Sequence, residues 1–253
     1  MTGVQTCALP IFQIGTNLSN DYSDARRGAD TDERIGPVRV TAGGLVPPRQ
    51  VLIATYLTFG AAVLCGVYLI AVAGWLLLAV GSASILAGVL YTGGPRPYGY
   101  EGLGEVFVFL FFGLVAVTGS YFVQRRDLPW EAFVLAIPVG LLIAAILVVN
   151  NVRDIDTDRR AGKRTLAVRL GRERTRVLFA VMVGAAFVSS WVPWFAGALS
   201  PWLFVTAAAA PLAIGVVQKV RTHADGPSLN AALASSAKLA LLFCLLLCAG
   251  VLA

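Results

Sequence analysis

Long apolar stretches separated by short polar ones dominate this chain. They run from Pro10 to Ser19, Val51 to Ile70, Val72 to Tyr91, Val106 to Val123, Ala132 to Val149, Val177 to Trp194, Trp202 to Val217 and Leu233 to Ala253. A helix needs about 20 apolar residues to cross a bilayer, and all but the first stretch approach that length. Several carry Gly, Ala and Ser at intervals that let helices pack closely. The pattern predicts an all-α, multi-pass transmembrane helical bundle with seven full helices and one partial one. Gly-Pro-rich segments, such as residues 93–97 and 47–48, break the helical pattern between the spans.

Composition supports a membrane class and excludes a soluble one. Of the 253 residues, 57% are hydrophobic and 13% are charged, against about a quarter charged in soluble domains. Mean hydropathy is +0.76. Cys7, Cys65, Cys244 and Cys248 have no metal-ligand spacing, so neither a disulfide framework nor a zinc site is expected. The net charge is +6, but its placement argues against nucleic-acid binding: the basic residues gather in loops between apolar segments, without a zinc-finger or helix-turn-helix spacing. When the loops alternate sides, every Lys and Arg except Arg125, Arg126 and Lys238 falls in residues 21–50, 92–103, 151–176 and 218–229. The excess of basic residues marks these loops as cytoplasmic and turns the C-terminus outward.

Two of these loops open alike. The first begins Asn17-Leu18-Ser19-Asn20-Asp21-Tyr22-Ser23-Asp24 and continues through Arg26, Arg27 and Asp30. The second begins Asn150-Asn151-Val152-Arg153-Asp154 and continues through Asp156, Asp158, Lys163 and Arg164. If the helices extend past the apolar runs, Asp21 shares a face with Asp24, and Asp154 with Asp158, while Asp156 points elsewhere. Paired carboxylates at two helix ends repel unless a cation lies between them. Mg²⁺ suits such a site, because it prefers oxygen ligands and is held by one or two carboxylates plus substrate phosphates. Nearby Arg and Lys supply the complement of a diphosphate.

With these motifs the sequence resembles the UbiA superfamily of intramembrane prenyltransferases. The segments from Asn20 to Asp24 through Arg34 to Arg39 (RIGPVR), Tyr91 to Glu105 (YTGGPRPYGYEGLGE), and Asn150 to Asp158 through Gly162 to Leu166 look like the branch acting on 1,4-dihydroxy-2-naphthoate in menaquinone biosynthesis. The resemblance covers the chain from Phe12 to its end. It implies Mg²⁺ at Asp21, Asp24, Asp154 and Asp158, and a polyprenyl diphosphate held by Asn17, Asn20, Asn151, Arg153, Lys163 and Arg164. Asp30 lies farther from Asp24 than the superfamily spacing. Tyr22, Tyr91, Tyr98, Tyr100, Glu101 and Glu105 are candidates for holding the aromatic acceptor or stabilising positive charge.

The implied reaction ionises an allylic diphosphate, alkylates the naphthoate ring and releases CO₂ within a dry cavity in the plasma membrane. The single histidine, His223, lies in a different loop from both aspartate motifs. A UbiA-type enzyme with another aromatic acceptor and an inactive fragment remain as alternatives. A secondary transporter fits less well, since the charged residues sit at one membrane face, Lys238 excepted. The family's bundle has nine spanning helices. Residues 1–11 (MTGVQTCALPI) have no signal-peptide pattern and resemble translated sequencing-adapter fragments. The expected organisation is therefore a foreign segment followed by a single membrane domain over residues 12–253, with the family's first helix and the start of its second missing.

Overall fold

The computed structural model describes residues 2–29, 35–36 and 38–253. Its long helices are α1 (Thr2–Arg26), α2 (Pro48–Ala73), α3 (Leu76–Leu90), α4 (Gly104–Arg125), α5 (Trp130–Arg160), α6 (Arg172–Phe195), α7 (Pro201–Thr222) and α8 (Gly226–Leu252). Among the described residues, six helices are long and apolar enough to cross a membrane, namely α2 and α4 to α8. The chain is a multi-pass membrane protein.

Two elements differ from the hydrophobicity pattern. The run from Val72 to Tyr91 predicted a full span, but α3 has 15 residues, about 22 Å at 1.5 Å per residue. Gly74 is the cause. Its φ of 100° ends α2, and its amide closes on the Ile70 carbonyl, so the start of the apolar run becomes a turn. The predicted stub from Pro10 to Ser19 is instead part of a 25-residue helix that passes through Ile11 and Phe12 without a break.

The helices alternate in direction, which brings the polar segments after α1, α3, α5 and α7 to one end. The α5 helix organises the bundle: half of its apolar window is buried, against 11% for α2. Val148, Val149 and Val152 of α5 pack in one core with Phe179 and Phe187 of α6, Leu203 of α7 and Phe243 of α8. Phe187 and Phe243 meet edge to face with centroids 5.0 Å apart. On its other side α5 meets a π-helical stretch of α4, Phe109–Val115. There a Cβ on Gly113 would run into the Cα of Gly140, so the two backbones touch only because both residues are glycine. This close approach places the polar C-terminal turns of α5 beside the loop that leads into α4.

Candidate functional site

The last turns of α1 carry Asn20, Asp21 and Asp24, all buried. Asp24 is the hub. Its Oδ1 accepts a hydrogen bond of 2.6 Å from the Tyr100 hydroxyl, and its Oδ2 lies 3.5 Å from Lys163 Nζ. Lys163 also sits over the Tyr100 ring, 4.8 Å from the centroid, close enough for a cation–π attraction. Asn20 Oδ1 accepts from Thr92 Oγ1 at 3.0 Å. Asp21 faces a different partner: its two oxygens accept from the amides of Val40 (3.1 Å) and Thr41 (3.0 Å). It ties the following loop to α1 and does not line the cavity.

The α5 helix continues 11 residues past Val149, the end of its apolar run. Asn151, Asp154 and Asp158 recur at helical spacing on one face of this extension, and all three line the cavity. Arg153 does not. The residue is 4% exposed, and its guanidinium grips Asp154 with two hydrogen bonds (Nε to Oδ1, 2.7 Å; Nη2 to Oδ2, 2.6 Å). It also donates to Asn150 Oδ1 at 2.8 Å and Asn230 Oδ1 at 2.7 Å. Arg153 thus neutralises Asp154 and joins α5 to α8. Asp156 turns outward and pairs with Arg172. Asp158 accepts from Thr165 Oγ1 at 3.4 Å, and Lys163 enters the cavity on the loop between them, beside Gly162 (φ 74°).

The loop between α3 and α4 closes the site from above. Its 3₁₀ turn, Tyr98–Glu101, is held to the α5–α6 loop by the Arg164 amide donating to the Tyr100 carbonyl at 2.8 Å. Tyr98 stacks on Phe107 with centroids 3.9 Å apart and donates its hydroxyl to the Ala87 carbonyl at 2.7 Å. Burial raises its phenol above the ordinary tyrosine range. Arg27 adds a hydrogen bond to the Gly94 carbonyl.

These segments enclose a cavity of about 100 Å³. Of the residues singled out in the sequence, Asn20, Asp24, Tyr91, Tyr100, Asn151, Asp154, Asp158 and Lys163 line it. The others fall outside. Tyr22 accepts from Arg26 on the helix surface, Glu101 forms an exposed pair with Arg169, and Asn17 and the Arg164 side chain are exposed. Tyr98 braces the loop, and Glu105 lies behind the wall, accepting from Asn151 Nδ2 at 2.8 Å. Asp30 lies outside the described residues. The cavity also takes Arg39, Thr92, Asn150, Thr157 and Thr165. The doubled Asn150-Asn151, the Thr92 after Tyr91 and Arg39 at the end of the Arg34–Arg39 stretch were visible in the motifs, although none of Asn150, Thr92 and Arg39 was assigned a role there.

Among the described residues, no three Asp, Glu, His or Cys side chains converge on one point. The cavity walls nevertheless present carboxylates and amides, which are the hard oxygen donors that Mg²⁺ takes. An ion that keeps several waters and binds phosphates does not need an all-protein cage. The donor set therefore fits Mg²⁺ carried in with a diphosphate, beside Asp24, Asp154 and Asp158.

Carboxylates, amides and a lysine gathered at the polar end of an apolar bundle define an integral-membrane protein with a polar headgroup site at the bilayer surface. The chain belongs to the UbiA prenyltransferase family, whose model matches residues 2–247; it is a prenyltransferase. A 1,4-dihydroxy-2-naphthoate octaprenyltransferase of Mycobacterium tuberculosis is 44% identical over 95% of this chain and 80% of its own length. Proteins of the same name are 38% identical in Escherichia coli, over 95% of this chain and 80% of theirs, and 34% in Bacillus subtilis, over 95% and 78%. A solved chain from a study of digeranylgeranylglyceryl phosphate synthase in membranes superposes with a TM-score of 0.60. It covers 98% of this chain and 93% of its own at 13% identity, and so shares the fold.

Proposed function

We propose that this protein transfers a polyprenyl group from polyprenyl diphosphate to 1,4-dihydroxy-2-naphthoate with loss of CO₂, at the cytoplasmic face of the plasma membrane. The observation that carries this reading is the meeting of Asp24, Asp154, Asp158 and Lys163 in one cavity. These residues come from two charged segments more than a hundred residues apart. The names of the relatives that match nearly the whole chain support the acceptor. The basic loops on one side support the orientation.

The cavity is smaller than the ~300–1,000 Å³ of pockets that hold whole drug-sized ligands. It suits a diphosphate head and its cation, leaving the prenyl chain in the apolar bundle. As the allylic C–O bond breaks, the electron pair leaves with the diphosphate, and Lys163 supplies fixed positive charge for it. Asp24, Asp154 and Asp158 would hold Mg²⁺, which would supply Lewis-acid neutralisation of the same charge. The electron-rich ring forms the new C–C bond, and departure of the carboxyl group as CO₂ returns the electrons that restore the aromatic diol. The Tyr91 and Tyr100 rings line the same space and can face positive charge on the prenyl carbon.

Membranes carrying the protein, supplied with 1,4-dihydroxy-2-naphthoate, a polyprenyl diphosphate and Mg²⁺, should yield the decarboxylated, prenylated naphthoquinol by mass spectrometry. EDTA should abolish the product. Prenylation of another aromatic acid but not the naphthoate would overturn the acceptor, and full activity in EDTA would overturn the metal.

A further inference from the structure

Glu105 is a carboxylate at the start of an apolar helix, and it has no place in the reaction as described above. It is 5% exposed. Its Oε1 accepts from Asn151 Nδ2 at 2.8 Å, while its Oε2 is buried without a hydrogen-bond partner. Asn151 is therefore its only side-chain hydrogen-bond partner among the described residues. A buried carboxylate with an unpaired oxygen is costly, and here its one bond is spent on an amide in the cavity wall.

That bond decides which end of Asn151 faces the cavity. An amide has a donor end and an acceptor end, and Glu105 Oε1 takes the donor end. Glu105 thus draws the NH₂ group of Asn151 toward itself and leaves Oδ1 at the opposite end. No described residue donates to that Oδ1, although Asn151 lines the cavity. Asn151 itself precedes Asp154 by about one helical turn and Asp158 by about two. No three acidic, His or Cys side chains converge here, and Arg153 already occupies both oxygens of Asp154. A neutral oxygen donor on this face is what a hard cation lacks.

We propose that Glu105 is a positioning residue that fixes the Asn151 amide with its carbonyl oxygen toward the cavity, making Asn151 a ligand for a divalent cation instead of a donor to diphosphate. This rests on the metal-dependent reading of the site. Glu105 acts through Asn151 and touches no substrate.

The test is binding of Mn²⁺, as a paramagnetic probe for Mg²⁺, to the detergent-purified protein without substrates, followed by electron paramagnetic resonance. Loss of a partner that orients a metal ligand typically costs about 10- to 100-fold in affinity. Glu105→Gln, whose amide can meet either end of Asn151, should weaken Mn²⁺ binding about 10-fold or more. Asn151→Ala should weaken it similarly. In the Glu105→Gln background, Asn151→Asp should restore binding, because one carboxylate oxygen then faces the cavity whichever way the glutamine turns. Wild-type Mn²⁺ affinity in Glu105→Gln, or no recovery in the double variant, overturns the inference while leaving the metal reading intact. A wild-type protein that binds no Mn²⁺, either alone or with inorganic diphosphate added, overturns both.

Discussion

Tyr100 and Asp24, 76 residues apart in sequence, share a hydrogen bond of 2.6 Å, and Lys163 lies against both. This three-way contact links the end of α1, the loop before α4 and the loop after α5. A hydrogen bond to a charged group contributes about 1.5–3 kcal/mol. Tyr100→Phe should therefore lower kcat/KM for prenyl transfer by about 10-fold or more, with the protein still folded. Unchanged steady-state kinetics would show that Asp24 needs no orienting partner.

Arg153 is buried beside the cavity and holds Asp154, Asn150 and Asn230, an arrangement that predicts a structural role. Breaking a buried ion pair costs about 3–5 kcal/mol, because the remaining charge is left unpaired. Arg153→Leu should lower unfolding stability in detergent by roughly that amount. The same substitution in an Asp154→Asn background should cost much less, since no buried charge is stranded. Equal costs in the two backgrounds would argue that the bond to Asn230, not the pair with Asp154, carries the effect.

Asp154→Asn should itself abolish Mg²⁺-dependent prenyl transfer in the mass-spectrometric assay. It removes a charge from the cavity wall and leaves Arg153 uncompensated there. Retained activity would take Asp154 out of the metal site.

Glu101 offers the contrast. Its pair with Arg169 is about half exposed on both sides (54% and 48%), and exposed pairs contribute about 0–1 kcal/mol. Glu101→Ala should leave both the unfolding midpoint and prenyl transfer near wild type. A large loss of turnover with intact stability would bring this carboxylate back to the acceptor.

The crossing of α4 and α5 gives a prediction about assembly. Gly113 and Gly140 touch backbone to backbone, whereas Gly119 on the same helix has open space around its Cβ direction. Overpacking costs about 1–3 kcal/mol, while Gly to Ala at an unhindered helix position gains up to about 1 kcal/mol. Gly113→Ala should lower stability in detergent and Gly119→Ala should not. Equal effects would mean that the helices are free to separate.

Much of this protein could be read along the chain, because in a bilayer each backbone must satisfy its own hydrogen bonds and a span declares itself by its run of apolar residues. The repeated Asn- and Asp-rich openings were equally legible, since a helix continued past its apolar run puts carboxylates three or four apart on one face. That reasoning separated Asp156 from Asp154 and Asp158 correctly.

What the sequence could not carry was direction in three dimensions. Asp21 and Asp24 look equivalent at helical spacing, yet one binds loop amides and the other faces the cavity, because the returning chain passes over one and not the other. Arg153 reads as a phosphate cation until α8 brings Asn230 to it. Glu105 reads as a helix-starting carboxylate until α5, admitted by two facing glycines, sets Asn151 within hydrogen-bonding distance. Apolar length and helical period are local quantities, so the chain by itself determined the bundle and its charged end. Which oxygen meets which donor depends on helices far apart in sequence, and only their packing decided it.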